Sequence, residues 1–215
     1  FANQFSDALA RQVKGRGHQE PDLEAMIRSA NAEVLAAADE ANPDFRNIDH
    51  WKRPAASVTV AKVTTTQFIY AAIGDCAALV KKKDGSVIVL GDDRVGKFDR
   101  RTVQEMTRLR EKNPDTGQDE LFDQLKIIEQ RKIRNSEAGY WVADLSDTWM
   151  DEMVTGSIPL AEIETLMFCT DGLYRLCDTF KTHTPEQLIE QAKGKGIKGL
   201  IDELRSLEAE DYDCK

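Results

Sequence analysis

Apolar positions along the chain fall first at helical spacing and then at strand spacing. Phe5, Leu9 and Val13 recur every fourth residue, which predicts a helix over 2–13 with these three on its buried stripe, stopped by Gly15 and Gly17. A second helix is predicted over 22–41: Pro21 opens it, Leu23, Met26, Ile27, Ala30 and Val34 repeat at three and four, and Asn42-Pro43 ends it. Residues 44–54, with Asp49, His50 and Trp51, show no period and read as loop.

From Ala55 the period becomes that of strands, predicted over 57–63, 67–73, 76–82 and 86–90 and read as an antiparallel meander. Thr64-Thr65-Thr66 supplies the first turn, and Asp84-Gly85 the signal of a two-residue type I′ hairpin, because glycine accepts positive φ. Helices follow over 99–112 and 119–133, then strands over 139–143, 153–160 and 164–169. Helices close the chain over 171–180, 185–193 and 197–208, the last two divided by Gly194-Lys195-Gly196. Helices and strands come in separate blocks without βαβ alternation or internal repeat. The predicted class is therefore α+β, with antiparallel sheets covered by segregated helices in one domain spanning 1–215.

Charge changes this picture by exclusion. Twenty-nine basic residues against 38 acidic ones give a net −9, unsuited to a surface that neutralises nucleic-acid phosphates. The apolar runs are too short for a transmembrane helix and the first residues lack a signal-peptide pattern, so no membrane partner is expected. Cys76, Cys169, Cys177 and Cys214 are widely spaced without a C-x-x-C or a nearby histidine pair, which excludes the usual zinc spacing. Two of them lie in apolar segments, as expected of reduced thiols in a cytoplasmic protein. His18, His50 and His183 stand far apart in polar contexts and read as surface residues, so no Ser-His-Asp or Cys-His constellation is indicated.

Two stretches carry candidate chemistry. In 164–176 the apolar run Leu166-Met167-Phe168-Cys169 delivers Thr170-Asp171-Gly172 to a strand end before a helix. Read alone, this is either an acid presented at a layer edge or an aspartate capping the next helix. In 70–80, Gly74-Asp75 interrupts an apolar hairpin although both residues are poor strand formers, which reads as a bulge or tight turn.

Gly74-Asp75-Cys76-Ala77 and, further on, Thr170-Asp171-Gly172-Leu173-Tyr174 together resemble the metal-dependent PP2C-type (PPM) serine/threonine phosphatases, whose matching lines read Gly-Asp-Ser and Ser-Asp-Gly-Leu. The resemblance implies a four-layer α-β-β-α sandwich of two antiparallel sheets flanked by helices. It also implies a site where aspartates hold two or more Mn²⁺ or Mg²⁺ ions, hard cations that prefer oxygen ligands, and where an activated water rather than a protein nucleophile attacks phosphorus. By the same resemblance Asp171 is a metal ligand, Asp92 or Asp93 a contributor to a further ion, and Gly172, Asp75 and Gly74 supporting residues. Asp92 and Asp93 read equally well as two acids of a solvated loop. The implied partners are a phosphoprotein substrate and a cognate serine/threonine kinase. Two acidic lines of the family, an Asp-Gly before the first helix and an acidic pair before a last strand, do not stand in 1–215 and are expected beyond its ends.

Arg131, Arg134 and Asn135 read either as phosphate-facing or as residues complementing a helix end. Lys81-Lys82-Lys83 is expected to solvate a hairpin tip, and Trp141 and Trp149 to pack in the core or at its rim. The expected activity is metal-dependent hydrolysis of phosphoserine and phosphothreonine on proteins. A catalytically inactive module of the same fold, acting in binding or regulation, and an unrelated α+β domain are the alternatives.

Overall fold

Apolar stripes on two helices open the fold, α1 (Ala2–Lys14) and α2 (Leu23–Ala41). The computed structural model describes residues 1–14, 22–117, 120–121 and 131–210. The expected stop at Gly15 and Gly17, His18, Cys214 and most of the helix expected over 119–133 lie outside these residues. Phe5 and Ala8 are buried against Leu23, Ile27 and Trp149, but Val13 is 63 % exposed, contrary to expectation. A spacing of four residues overshoots a helical turn, so two such steps rotate Val13 about 80° away from Phe5.

Strands β1 (Ala55–Ala56), β2 (Val58–Val63), β3 (Gln67–Ile73), β4 (Ala77–Lys82) and β5 (Val87–Leu90) follow. Two short 3₁₀ turns, Phe45–Asn47 and His50–Lys52, occupy the segment expected to be loop. Helix α3 (Arg94–Lys112) begins five residues earlier than its apolar pattern suggests. The strand expected over 139–143 shrinks to β6 (Ala143–Asp144), paired with β1. Then come β7 (Val154–Pro159), β8 (Ile163–Cys169), α4 (Asp171–Asp178) and α5 (Pro185–Glu210), the last kinked where Gly196 sits at φ 76°.

All strand pairings are antiparallel, in the orders β2-β3-β7 and β5-β4-β8, with β1-β6 apart. The four central strands are therefore not the meander expected. β3 and β4 do not pair, and Gly74-Asp75-Cys76 carries the chain from one sheet to the other. Strand periodicity then sorts the side chains. On β3, Ile69, Ala71 and Ile73 pack with α1 and α2, while Phe68 and Tyr70 turn towards Ala78, Val80, Leu90 and Ile158 of the neighbouring strands. On β4, Ala77 and Leu79 face Leu176, Leu188 and Leu200 of α4 and α5. Trp149 is fully buried and Trp141 packs at the rim of the same core, as expected.

The β4–β5 connection departs from type I′. Lys82 N–H donates to Ser86 O at 2.8 Å and Gly85 N–H to Lys82 O at 3.0 Å, a three-residue loop in which only Gly85 has positive φ, 87°. Asp84 accepts the Ser86 N–H at 2.9 Å, an Asx turn that keeps it out of the left-handed region required of both central residues in type I′. Two of the three lysines are not tip residues either. Lys81 pairs with Glu190 at 2.7 Å and Lys82 with Glu162 at 3.0 Å, because both belong to β4 and lie beside acids of α5 and of the turn before β8.

Gly74 shows how tight the inter-sheet crossing is. Its φ is 79°, and a Cβ there would lie 2.3 Å from Ser57 Oγ and 2.9 Å from Ser57 Cα. Gly74→Ala is expected to cost at least about 1–2 kcal/mol from the backbone alone. Urea unfolding measures this, and a variant with the parental midpoint would contradict the crossing geometry.

Candidate functional site

Strand direction brings the two informative stretches together. β5 and β8 both run antiparallel to β4, so their C-terminal ends meet the N-terminal start of β4, with Ala78 opposite Leu90 and Ala77 opposite Cys169. Gly74-Asp75 enters β4, Gly91-Asp92-Asp93 leaves β5 and Thr170-Asp171 leaves β8, so all three reach one end of this sheet. A Cβ on Gly91 would already stand 3.1 Å from Cys76 O, which measures how closely the strand ends approach.

Cys76 lies close to both aspartates of interest. Burial and the carboxylates of Asp75 and Asp171 hold its thiol above the ordinary cysteine range, against which the Asp171 backbone N–H stabilises the thiolate. Cys169, one pleat away, is pushed up to about 12, chiefly by burial. Neither is the electropositive, exposed setting of a nucleophilic cysteine. The described cysteines Cys76, Cys169 and Cys177 are free thiols, as expected.

Asp75 accepts a short hydrogen bond from the Ser57 hydroxyl, and Ser57 Oγ in turn accepts the Asp75 N–H at 3.1 Å. The side chain of Asp75 is thus braced against the start of β2. Asp171 is the first residue of α4 and is exposed. The N-cap is Thr170, which makes no side-chain capping bond, so the capping alternative for Asp171 does not describe the helix. Asp171 still gains from the positive end of the helix dipole. A Cβ on Gly172 would meet only Thr170 Oγ1 at 3.6 Å, so packing places no demand for glycine there.

Asp92 and Asp93 part company. Asp92 is buried, 6 % exposed, and both its oxygens face the Arg94 guanidinium at 2.9–3.0 Å. It also accepts the Gly74 N–H at 3.4 Å and the Arg94 N–H at 3.0 Å, while Arg94 continues to Glu152 Oε2 at 3.0 Å and Glu152 O at 2.6 Å. The hydrogen bonds to Asp92 hold the Arg94 cation yet further above its usual range. Asp92 therefore ties the inter-sheet crossing to the start of α3, which is not the solvated loop its sequence context suggests. Asp93 is exposed and pairs with Lys97 at 3.0 Å.

These acids line a cavity of about 450 Å³ that includes Asp75, Asp92, Asp93, Asp178, Tyr174 and Arg100. Asp171 borders it through Cys76, which lines it too. Among the described residues, no group of three or more histidine, cysteine, aspartate or glutamate side chains is arranged to hold a metal ion. With Asp92 occupied by Arg94 and Asp93 turned to Lys97, the donor set among the described residues does not by itself fit a dinuclear centre.

The other candidates lie elsewhere. Arg134 is buried and donates to the carbonyl oxygens of His50 and Arg53, with Asp144 at 3.9 Å. Asn135 adopts φ 54° and accepts the Val142 N–H at 2.9 Å, so both residues stitch loops rather than face an anion. Arg131 is not among the residues lining the acidic cavity. His183 is half buried and bonds Glu203 at 2.8 Å, whereas His50 is exposed. Sequence reasoning missed Ser57, Arg94, Arg100 and Asp178. Arg94, two residues from Asp92, was the one with a local signal; the rest are assembled only by folding.

No curated protein matches the chain. A family model described as protein phosphatase 2C matches residues 2–193. That span takes in every strand and both aspartate lines at the end of the second sheet, and the chain belongs to the protein phosphatase 2C family.

Proposed function

We propose that this domain hydrolyses phosphoserine and phosphothreonine on protein substrates, that turnover requires Mn²⁺ or Mg²⁺, and that the acidic end of the β5-β4-β8 sheet is the site. The observation that carries the reading is the convergence of Asp75 and Asp171 beside Cys76, from stretches far apart in sequence. Carboxylate oxygens suit hard divalent cations, and Asp171, exposed at a strand end, is the acid assigned to them, with Asp93 at the facing loop. Asp92 is assigned the different role of holding Gly74 and Asp75 in place. The layers read as an α-β-β-α sandwich, supported by separate apolar clusters between α1/α2 and the first sheet, between the sheets, and between the second sheet and α4/α5. A phosphoprotein is the assigned partner, and the kinase that supplies it the expected counterpart.

A second reading is favoured by the Arg94–Asp92 pair and by the incomplete donor set: a non-catalytic module that binds phosphoprotein without turnover. One experiment separates the two. Hydrolysis of a small aryl phosphate and of a phosphothreonine peptide is measured in chelator and with added Mn²⁺ or Mg²⁺. Metal-dependent release of phosphate supports the first reading; no release at any metal concentration refutes it in favour of the second, and equal release in chelator refutes the metal requirement.

A further inference from the structure

The acidic cavity contains one guanidinium with no carboxylate of its own. Asp92 is matched by Arg94 and Asp93 by Lys97. Arg100, on the second turn of α3, lines the same cavity and, among the described residues, forms no hydrogen bond or ion pair. Its Nη1 folds back over the first turn of the helix, 3.3 Å from where a Cβ on Gly96 would stand. The helix entry Gly91-Asp92-Asp93 and Gly96 therefore form one wall, with the cation lying along it.

Two carboxylates in the cavity also lack a cation. Asp75 is bonded by the Ser57 hydroxyl, and Asp178, exposed at the end of α4, by the Thr179 hydroxyl at 2.9 Å. The unmatched charges are thus one positive group on the α3 wall and two negative groups elsewhere in the lining. A simple anion would meet these acids as well as Arg100. A ligand carrying both signs is matched.

Resting on the phosphatase-family reading above, we propose that Arg100 receives the phosphate of a phosphorylated protein segment and that Asp178, with Asp75, receives a basic side chain next to the phosphorylated residue. Arginine suits the first task because its planar fork donates paired hydrogen bonds to phosphate oxygens. Asp178 suits the second because its exposed carboxylate can take an ammonium or guanidinium without first being desolvated. Arg100 and Asp178 are specificity residues here; no bond-making role is assigned to them.

The test is equilibrium binding of two labelled phosphoserine peptides by fluorescence anisotropy, one with arginine beside the phosphoserine and one with alanine there. Chelator is present so that turnover does not consume them. Wild type is expected to bind the arginine peptide more tightly. Arg100→Ala should weaken both peptides by about tenfold or more, the loss of a charge-assisted pair, and Arg100→Lys should recover part of it. Asp178→Asn should leave the alanine peptide unchanged and remove the preference for arginine. Both residues are exposed, and far-UV circular dichroism checks that the variants fold.

Parental binding by folded Arg100→Ala, a preserved preference in Asp178→Asn, or no binding of either peptide by wild type each overturns the assignment. Absent aryl phosphate hydrolysis with the binding pattern intact would instead sink the catalytic reading alone.

Discussion

Asp171→Asn should lower metal-supported hydrolysis of an aryl phosphate by at least about 100-fold, the upper end of what loss of a mere supporting partner costs at a metal site. The substitution keeps the shape of the side chain and removes its charge. Asp171 is exposed, is not the N-cap, and among the described residues its side chain has no hydrogen-bond partner whose loss would disturb α4. The stability cost should therefore stay within the helix-dipole range of about 0.3–1 kcal/mol. Steady-state kinetics at saturating Mn²⁺ and a thermal melt separate the two effects. A variant with parental turnover would remove Asp171 from the site; one that loses activity only by unfolding would make it structural.

Arg94→Met should be the most damaging single change to stability. The Asp92 side chain is 1 % exposed, and the Arg94 side chain, 28 % exposed, is its charge partner. Removing one member of such a pair strands the other in a medium that solvates it poorly, a cost of about 3–5 kcal/mol. In a domain of this size that is a fall in melting midpoint of roughly 6–20 °C. The double variant Asp92→Asn/Arg94→Met should recover much of the loss, because the amide oxygen can still accept from Gly74 N–H and no buried charge remains. Equal destabilisation of single and double variants would show that lost packing, not the stranded charge, carries the effect. Glu152, 42 % exposed, can return to water and contributes little either way.

These expectations depend on contacts of unequal legibility. The strands 67–73 and 164–169 were readable to within a residue because each carries a nearly continuous apolar run, although Phe168 at the end of the second is exposed. The length of β6 was not: Gly139-Tyr140-Trp141 has strand-like residues but finds no partner strand among the described residues, and only Ala143–Asp144 does. Likewise the start of α3 was misplaced. Arg94, Lys97 and Phe98 carry too little apolar period to announce a helix, and the ion pairs Arg94–Asp92 and Lys97–Asp93 occupy its first turn.

By itself the sequence determined that helices and antiparallel strands come in separate blocks, and the resemblance of its two Asp-centred lines to one family joined them. The block order is a local property, set by side-chain periodicity and by poor strand formers such as Gly74 and Asp75. Only the tertiary structure decided that Gly74-Asp75 crosses between sheets instead of turning a hairpin, since pairing partners are chosen by long-range packing. It also decided that Asp92 is committed to Arg94 while Asp93 is not, and that Arg100 and Asp178 share a cavity. Adjacent acids look alike in sequence, and burial, which strands one charge and leaves its neighbour in water, is what tells them apart.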